Sequence, residues 1–255
     1  MAKSMKVTDP SQGDDKSKYI MGGIVLLIVA ALVGGFLFLR NVAENREIWD
    51  MSRDVPDNLS VEYIEDDGIG NYVSFRTQAE TPNVVDVFED PSCSYCKEFA
   101  MGHGEFIEEK VASGEIEFNA HMLNFMDESS GMTYSDDASA VLIELAKTGD
   151  ADNAWRVYNE MWDNQPGVGT PTDAVPTMDD MIAALESAEN TPDEAITALK
   201  SYDGEKGQRI YDSTITNTDA LTKTTQRVST PTVFVNGDEQ QFEIGDNEYF
   251  ESLFN

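Results

Sequence analysis

The feature that most constrains the fold is a C-x-x-C pair, Cys93 and Cys96, placed where an apolar segment gives way to a helical one. These are the only cysteines in the sequence. Residues 84–88 form a short, nearly continuous apolar run that is typical of a buried central strand, and residues 93–112 fit a helix that ends at Ser113-Gly114. Strand, C-x-x-C and helix in this order predict an α/β fold with the cysteines at the carboxyl end of a central strand, where open α/β sheets usually carry their functional sites.

Alternating or short apolar runs predict further strands at residues 60–64, 72–76, 116–122, 232–235 and 241–244. Apolar residues with i, i+3, i+4, i+7 spacing predict that helices occupy most of residues 125–226. One of these helices is predicted to start with Thr191 as N-cap and Glu194 at the third position, and a last helix is predicted at residues 248–253. Because strands resume after the helices, we interpret the helical part as an insertion within one domain, residues 59–255.

The segment 20–39 is uncharged and largely apolar, and a helix of about 20 such residues can cross a hydrocarbon core of about 30 Å. It is longer than the apolar core of a cleaved signal peptide and has no clear cleavage site after it. We therefore predict a retained transmembrane signal anchor, with residues 1–19 as a cytoplasmic tail and residues 40–58 as a stalk. Disulfide chemistry favours the oxidising side, so the expected location is the cell membrane, single-pass, with the domain outside.

The formal net charge of −31 at pH 7 makes the chain strongly acidic. Such a surface repels the phosphates of nucleic acids, and we expect no nucleic-acid partner. The simpler interpretation of the charge is solubility in a salty exterior. Steering of basic, unfolded substrates is the alternative.

The cysteine pair has the spacing of a dithiol/disulfide couple. Near the helix start, free backbone N–H groups and the helix dipole favour a thiolate, so Cys93 is expected to be the exposed, acidic nucleophile. Cys96 lies one turn later on the same face and is expected to resolve a mixed disulfide. An inert structural disulfide is one alternative. A zinc site completed by His103 and His121 is another, but C-x2-C-x6-H-x17-H is not a usual zinc pattern, and we predict neither metal nor cofactor.

The C-x-x-C, the helical insertion and the distant segment T-P-T-V-F-V-N-G that starts at Thr230 together resemble the DsbA-like branch of the thioredoxin superfamily, particularly its membrane-anchored actinobacterial forms. The similarity spans about residues 60–255. It implies an α/β, thioredoxin-like fold with an inserted helical domain, here preceded by one transmembrane helix. It also implies that the protein is an enzyme of thiol-disulfide exchange.

The resemblance assigns roles to single residues. Cys93 matches the attacking cysteine and Cys96 its buried partner. Pro231 matches a proline that follows a cis peptide bond, which would present the Thr230 backbone to an extended substrate strand. A trans proline at an edge strand is the alternative.

Members of this branch often bury an acidic group beneath the disulfide, six residues before the first cysteine. That position is Val87 in this sequence, and Asp86 precedes it. We expect a turn one residue longer to bring Asp86 into place to accept the proton of Cys96. An ordinary strand carboxylate is the alternative interpretation of Asp86.

The expected function is that of an extracytoplasmic oxidase that introduces disulfides into exported proteins. Its partners would be unfolded exported proteins with free thiols and a quinone-linked membrane protein that re-oxidises the pair. Ser94 and Tyr95 stand where many DsbA-like oxidases carry proline and histidine, so a reductase or isomerase is the runner-up. A noncatalytic surface binding module on the same fold is the third hypothesis.

Overall fold

The computed structural model describes residues 49–254, except for residues 168, 172, 173, 189, 203, 242 and 245. The predicted tail, the membrane anchor at residues 20–39 and residues 40–48 of the predicted stalk lie outside the described residues, and they stay predictions. Within the described part of the chain, no helix is both long and apolar enough to cross a membrane.

A six-stranded sheet forms the centre of the fold, with strand order β1-β2-β4-β3-β5-β6. The strands are β1 (Ser60–Ile64), β2 (Tyr72–Arg76), β3 (Asn83–Glu89), β4 (Ile116–Met122), β5 (Thr232–Val235) and β6 (Asp238–Gln240). The central strands β3 and β4 are parallel, and the other neighbouring pairs are antiparallel. The parallel pair is joined by one helix, which begins where β3 ends.

The described helices are α1 (Ser94–Ser113), α2 (Phe125–Ser130), α3 (Tyr134–Thr148), α4 (Ala151–Asp163), α5 (Met178–Ser187), α6 (Asp193–Lys200), α7 (Gly204–Thr225) and α8 (Asn247–Ser252). Helices α2 to α7 lie in sequence between β4 and β5, which confirms the predicted insertion. Gly114 ends α1 with φ 74°, a left-handed conformation that glycine adopts at little cost.

The two faces of β3 meet different neighbours because successive side chains of a strand alternate. Val85 and Val87 belong to the main core, together with side chains of α1, α3 and α4. Phe88 lies on the opposite face, where it packs in a smaller cluster with Leu123, Leu221 and Phe234. The cysteine pair lies on the side of the main core, since Cys93 and Cys96 belong to it.

The predicted strands at residues 60–64, 72–76 and 116–122 are confirmed, but two details at the carboxyl-terminal side are wrong. The strand expected at residues 241–244 is instead Asp238–Gln240. Asn236-Gly237, with φ values of 53° and 86°, makes a two-residue turn that pairs Val235 directly with Asp238. The last strand therefore starts immediately after the glycine.

The expected N-cap at Thr191 is also wrong. Pro192 takes the N-cap position of α6, which begins at Asp193. The Thr191 hydroxyl instead donates to the Leu185 carbonyl at 2.7 Å and accepts from Asn153 at 3.1 Å. Contacts with two other helices thus displace the local capping pattern.

Candidate active site

The cysteine pair begins α1, directly after the turn that follows β3. Cys93 is the N-cap residue, with φ −83° and ψ 120°, rather than a member of the first turn. Its N–H donates to the Asp90 carbonyl at 2.8 Å, and its carbonyl accepts from the N–H groups of Cys96 and Lys97. The structure holds both cysteines as free thiols.

The Cys93 sulfur is surrounded by hydrogen-bond donors that favour a thiolate. These donors outweigh burial and lower the pKa of Cys93 to about 6; the largest contribution comes from the Cys96 thiol, and smaller ones come from the Thr230 hydroxyl and the N–H groups of Cys96 and Tyr95. The acidic character expected of Cys93 agrees with this geometry. Its expected exposure is wrong, because Cys93 is only 6% exposed.

Cys96 has the opposite environment. It is 0% exposed, and burial, followed by the neighbouring Cys93 and the charge of Glu89, raises the pKa of the Cys96 thiol well above its usual range. The two thiols are therefore strongly unequal, as a nucleophile and its resolving partner would be. Their catalytic roles stay predictions.

The segment before β5 lies against Cys93. The Thr230-Pro231 peptide bond is cis, as the resemblance implies, and the Cys93 thiol donates to the Thr230 carbonyl at 3.6 Å. The Thr230 hydroxyl oxygen is buried with no other hydrogen-bond partner among the described residues, which leaves it available to the Cys93 sulfur. The structure thus brings together Cys93, Cys96, Thr230 and Pro231.

A groove of about 340 Å³ runs beside the cis bond. Its walls include Tyr95, Thr230, Pro231 and Gln240, and Tyr95 is 62% exposed. An aromatic side chain and a stretch of backbone beside the sulfur are suited to hold an extended peptide.

Asp86 does not lie beneath the thiols, and the expectation that it does is wrong. Its carboxylate accepts a hydrogen bond from Asn119 Nδ2 at 3.0 Å and lies 3.1 Å from His121 Nε2. Strand β3 pairs with β4 in unbroken register from Asn83 to Glu89, so no bulge turns Asp86 toward the cysteines. Asp86 is a strand carboxylate on the opposite face of the sheet.

Glu89 takes the place expected for Asp86. It is 0% exposed, and it is close enough to Cys96 that an ionised Glu89 would raise the pKa of the Cys96 thiol. Burial, with a smaller contribution from Cys93, raises the pKa of Glu89 well above its usual range, and the nearby Tyr158 hydroxyl opposes this only in part. Neither carboxyl oxygen of Glu89 makes a well-formed hydrogen bond to the described residues. The alternation from Val85 and Val87 to residue 89 is the sequence signal that could have identified it.

The four residues of the zinc alternative are not brought together. His103 is buried in α1 against Phe99 and Phe250, seven residues and about 10 Å along the helix from Cys96. His121 stacks on Phe88 at 4.2 Å on the opposite face of the sheet. Both histidines are packing residues.

A distant glutamine holds the loop that carries Cys93. Gln165, which follows α4, donates from Nε2 to the carbonyl of Pro91 at 2.7 Å and to that of Cys93 at 2.9 Å. Sequence reasoning missed Gln165, and no local pattern singles it out.

A model of the thioredoxin family matches residues 76–252. The chain therefore belongs to the thioredoxin family, and its helical insertion gives it the DsbA-like form of that fold.

Among solved structures, the chain is similar to MdbA, a thiol-disulfide oxidoreductase from Corynebacterium matruchotii, with a TM-score of 0.63 and 20% identity over 77% of this chain and 92% of that one. MdbA from Corynebacterium diphtheriae has the same TM-score and identity, over 83% and 98%. Reduced DsbA from Mycobacterium tuberculosis has a TM-score of 0.52 and 21% identity, over 75% and 89%. A search of curated proteins found no match. The predicted DsbA-like fold is confirmed.

Proposed function

We propose that this protein is an extracytoplasmic thiol-disulfide oxidase that introduces disulfides into exported proteins through Cys93 and Cys96. The observation that carries the proposal is the unequal pair of thiols beside the Thr230-Pro231 bond. Donors around Cys93 lower its pKa to about 6. Stabilising this thiolate stabilises the reduced enzyme, and a stable reduced form makes the disulfide a stronger oxidant.

The reaction starts from the Cys93–Cys96 disulfide. A substrate thiolate attacks Cys93 Sγ, the bond between the two cysteines breaks, and Cys96 leaves as a thiolate that takes up a proton. Glu89, kept neutral by burial, is the acid placed to supply that proton. A second substrate thiolate then attacks the substrate sulfur of the mixed disulfide, and Cys93 leaves as a thiolate. The substrate is oxidised by two electrons and the cysteine pair is reduced.

The groove beside Pro231 supports unfolded polypeptides as the substrate class, because an extended segment can lie along the Thr230 backbone. The reduced cysteine pair must then transfer two electrons to an acceptor. Because the chain has no third cysteine to relay them, a quinone-linked membrane protein is the proposed electron acceptor. The uncharged segment 20–39 supports attachment to the same membrane.

Two measurements test the proposal. Equilibration with glutathione buffers should give a reduction potential above about −200 mV for an oxidase, whereas a value near −270 mV would identify a reductase. With a reduced, unfolded substrate and an added oxidant, Cys96→Ser should accumulate a mixed disulfide between enzyme and substrate, which a reductant cleaves. Cys93→Ser should form none and should abolish exchange. Unchanged exchange in both variants would instead support a noncatalytic binding module.

A further inference from the structure

The loop between β3 and α1 is joined to the helical insertion by a chain of four oxygen atoms. Asp90 Oδ1 lies 2.5 Å from Ser135 Oγ, Ser135 Oγ lies 2.8 Å from Ser92 Oγ, and Ser92 Oγ lies 3.0 Å from Asp127 Oδ1. Each distance is that of an O–H···O hydrogen bond. Asp90 and Ser135 are 0% exposed and Asp127 is 5% exposed, whereas Ser92 is half-buried, so three of the four oxygens belong to buried residues.

The protons in this chain can be counted. Three contacts need three protons, but each serine hydroxyl can donate only once, and an ionised carboxylate cannot donate at all. Two ionised aspartates would therefore leave one contact as two facing acceptors with no proton between them, which is costly in a buried site. A single proton on either carboxyl group completes the series of hydrogen bonds. The hydrogen bonds then run from Asp127 through Ser92 and Ser135 to Asp90, or in the reverse direction.

Backbone donors are shared unequally between the two carboxyl groups. Asp90 accepts from the N–H of Ser92 at 2.9 Å and from that of Met126 at 2.9 Å, in addition to the Ser135 hydroxyl. Asp127 accepts from a single backbone group, the N–H of Asp136, at 3.0 Å. The Ser92 N–H also donates to Ser135 Oγ at 3.1 Å, but none of these N–H groups donates across the contact between Ser135 Oγ and Ser92 Oγ, so they stabilise the carboxylate of Asp90 without removing the need for the third proton.

The surroundings make loss of that proton unfavourable. Glu89 and Cys93 are the titratable residues next to Asp90 in the sequence, Glu128 follows Asp127, and α3 adds Asp136 and Asp137. Burial raises the pKa of Asp90 to about 6, and the charge of Asp127 adds to this. Burial, with a contribution from Asp136, also raises the pKa of Asp127. Burial likewise raises the pKa of Asp137 to about 6.

We propose that Asp90 and Asp127 share one proton through Ser92 and Ser135, and that this proton fixes the loop that positions Cys93. Ser92 immediately precedes Cys93, and the Asp90 carbonyl accepts the Cys93 N–H at 2.8 Å. When the proton leaves, the loop loses one of its links to α2 and α3. The four residues are positioning residues, since they act on the sulfur only through the backbone.

The first test concerns the proton itself and does not depend on the proposed function. In the full-length protein with ¹³C-labelled aspartate, the carboxyl signals of Asp90 and Asp127 should titrate as a coupled pair, with one proton retained above the ordinary aspartate range. Ser92→Ala interrupts the chain and should uncouple the two curves, and Ser135→Ala should do the same if Ser92→Ala folds poorly. Full ionisation of both aspartates in the ordinary range, or curves that neither variant changes, would overturn the proposal.

The second test concerns the loop and uses alkylation of the reduced protein, which requires no substrate turnover. The alkylation rate, divided by the fraction of Cys93 present as thiolate, should change over the same pH range in which the Asp90–Asp127 pair loses its proton. Asp127→Asn keeps a permanent N–H donor toward Ser92 and should abolish this step. The matched control is Gln165→Ala, which weakens the same loop without a titrating group and should change the rate by a similar factor at every pH. A pH profile of Asp127→Asn identical to that of the wild type would refute the positioning role.

Discussion

Replacing Cys96 with alanine should raise the pKa of the Cys93 thiol, whereas replacing it with serine should leave that pKa nearly unchanged. The largest cause of the low pKa of Cys93, about 6, is the hydrogen bond from the Cys96 thiol. Alanine removes this donor. Serine retains a donor of similar shape, and at a position that is 0% exposed its hydroxyl has little access to water as a competing acceptor.

The size of the effect follows from the strength of one hydrogen bond to a charged group. Such a bond contributes about 1.5–3 kcal/mol, which corresponds to a rise of about 1–2 pH units in Cys96→Ala. The remaining donors, the Thr230 hydroxyl and the N–H groups of Tyr95 and Cys96, keep the value below the roughly 8.5 of a free cysteine.

The assay is the initial rate of alkylation of the reduced protein as a function of pH, with modification counted by mass spectrometry. Each variant contains a single cysteine, so the midpoint belongs to Cys93 without ambiguity. The same variants unfolded in denaturant serve as the control, and both should there show the midpoint of a free thiol. Equal midpoints for Cys96→Ala and Cys96→Ser in the folded state would refute the assignment of the Cys96 hydrogen bond as the main cause.

Three further predictions address the carboxylates and the location of the domain. Glu89 keeps a proton in the folded state that the unfolded chain releases above the ordinary pKa of 4.5. The free energy of unfolding should therefore fall as pH rises above that value. Denaturant titrations at several pH values should show that this fall is smaller for Glu89→Gln than for the wild type. Asp86→Leu leaves the buried His121 without its acceptor and should lower the free energy of unfolding by about 1–3 kcal/mol, while the pKa of Cys93 stays unchanged. Unchanged stability together with a shifted pKa of Cys93 would instead indicate that Asp86 acts at the cysteine pair. External protease should digest the domain in intact cells and leave a fragment containing residues 20–39, whereas full protection would contradict the predicted topology.

Local patterns predicted the sheet well because strand alternation and turn residues act over a few positions. The hairpin of β1 and β2 and the strand–cysteine–helix junction follow from such patterns. The same alternation, applied strictly, places residue 89 with Val85 and Val87 and places Asp86 opposite them. The family offset gives Val87, and the added assumption of a turn one residue longer led to Asp86, whereas β3 pairs in unbroken register as far as Glu89.

The contacts that hold the loop between β3 and α1 could not be predicted from local patterns. Ser135 meets Ser92 across 43 positions of sequence, and Gln165 meets Cys93 across 72. Both residues come from the helical insertion, and their partners depend on how that insertion packs against the sheet. A single serine or glutamine carries no local signal for such a contact, because its side chain would be equally compatible with an exposed helix end.

The 6% exposure of Cys93 limits which substrate cysteines can reach its sulfur. A recessed sulfur can be reached by a cysteine on a loose, narrow stretch of chain, but not by one fixed on the broad surface of a finished fold. Under the proposed function, pairing of substrate cysteines would therefore be confined to polypeptides that have not yet folded.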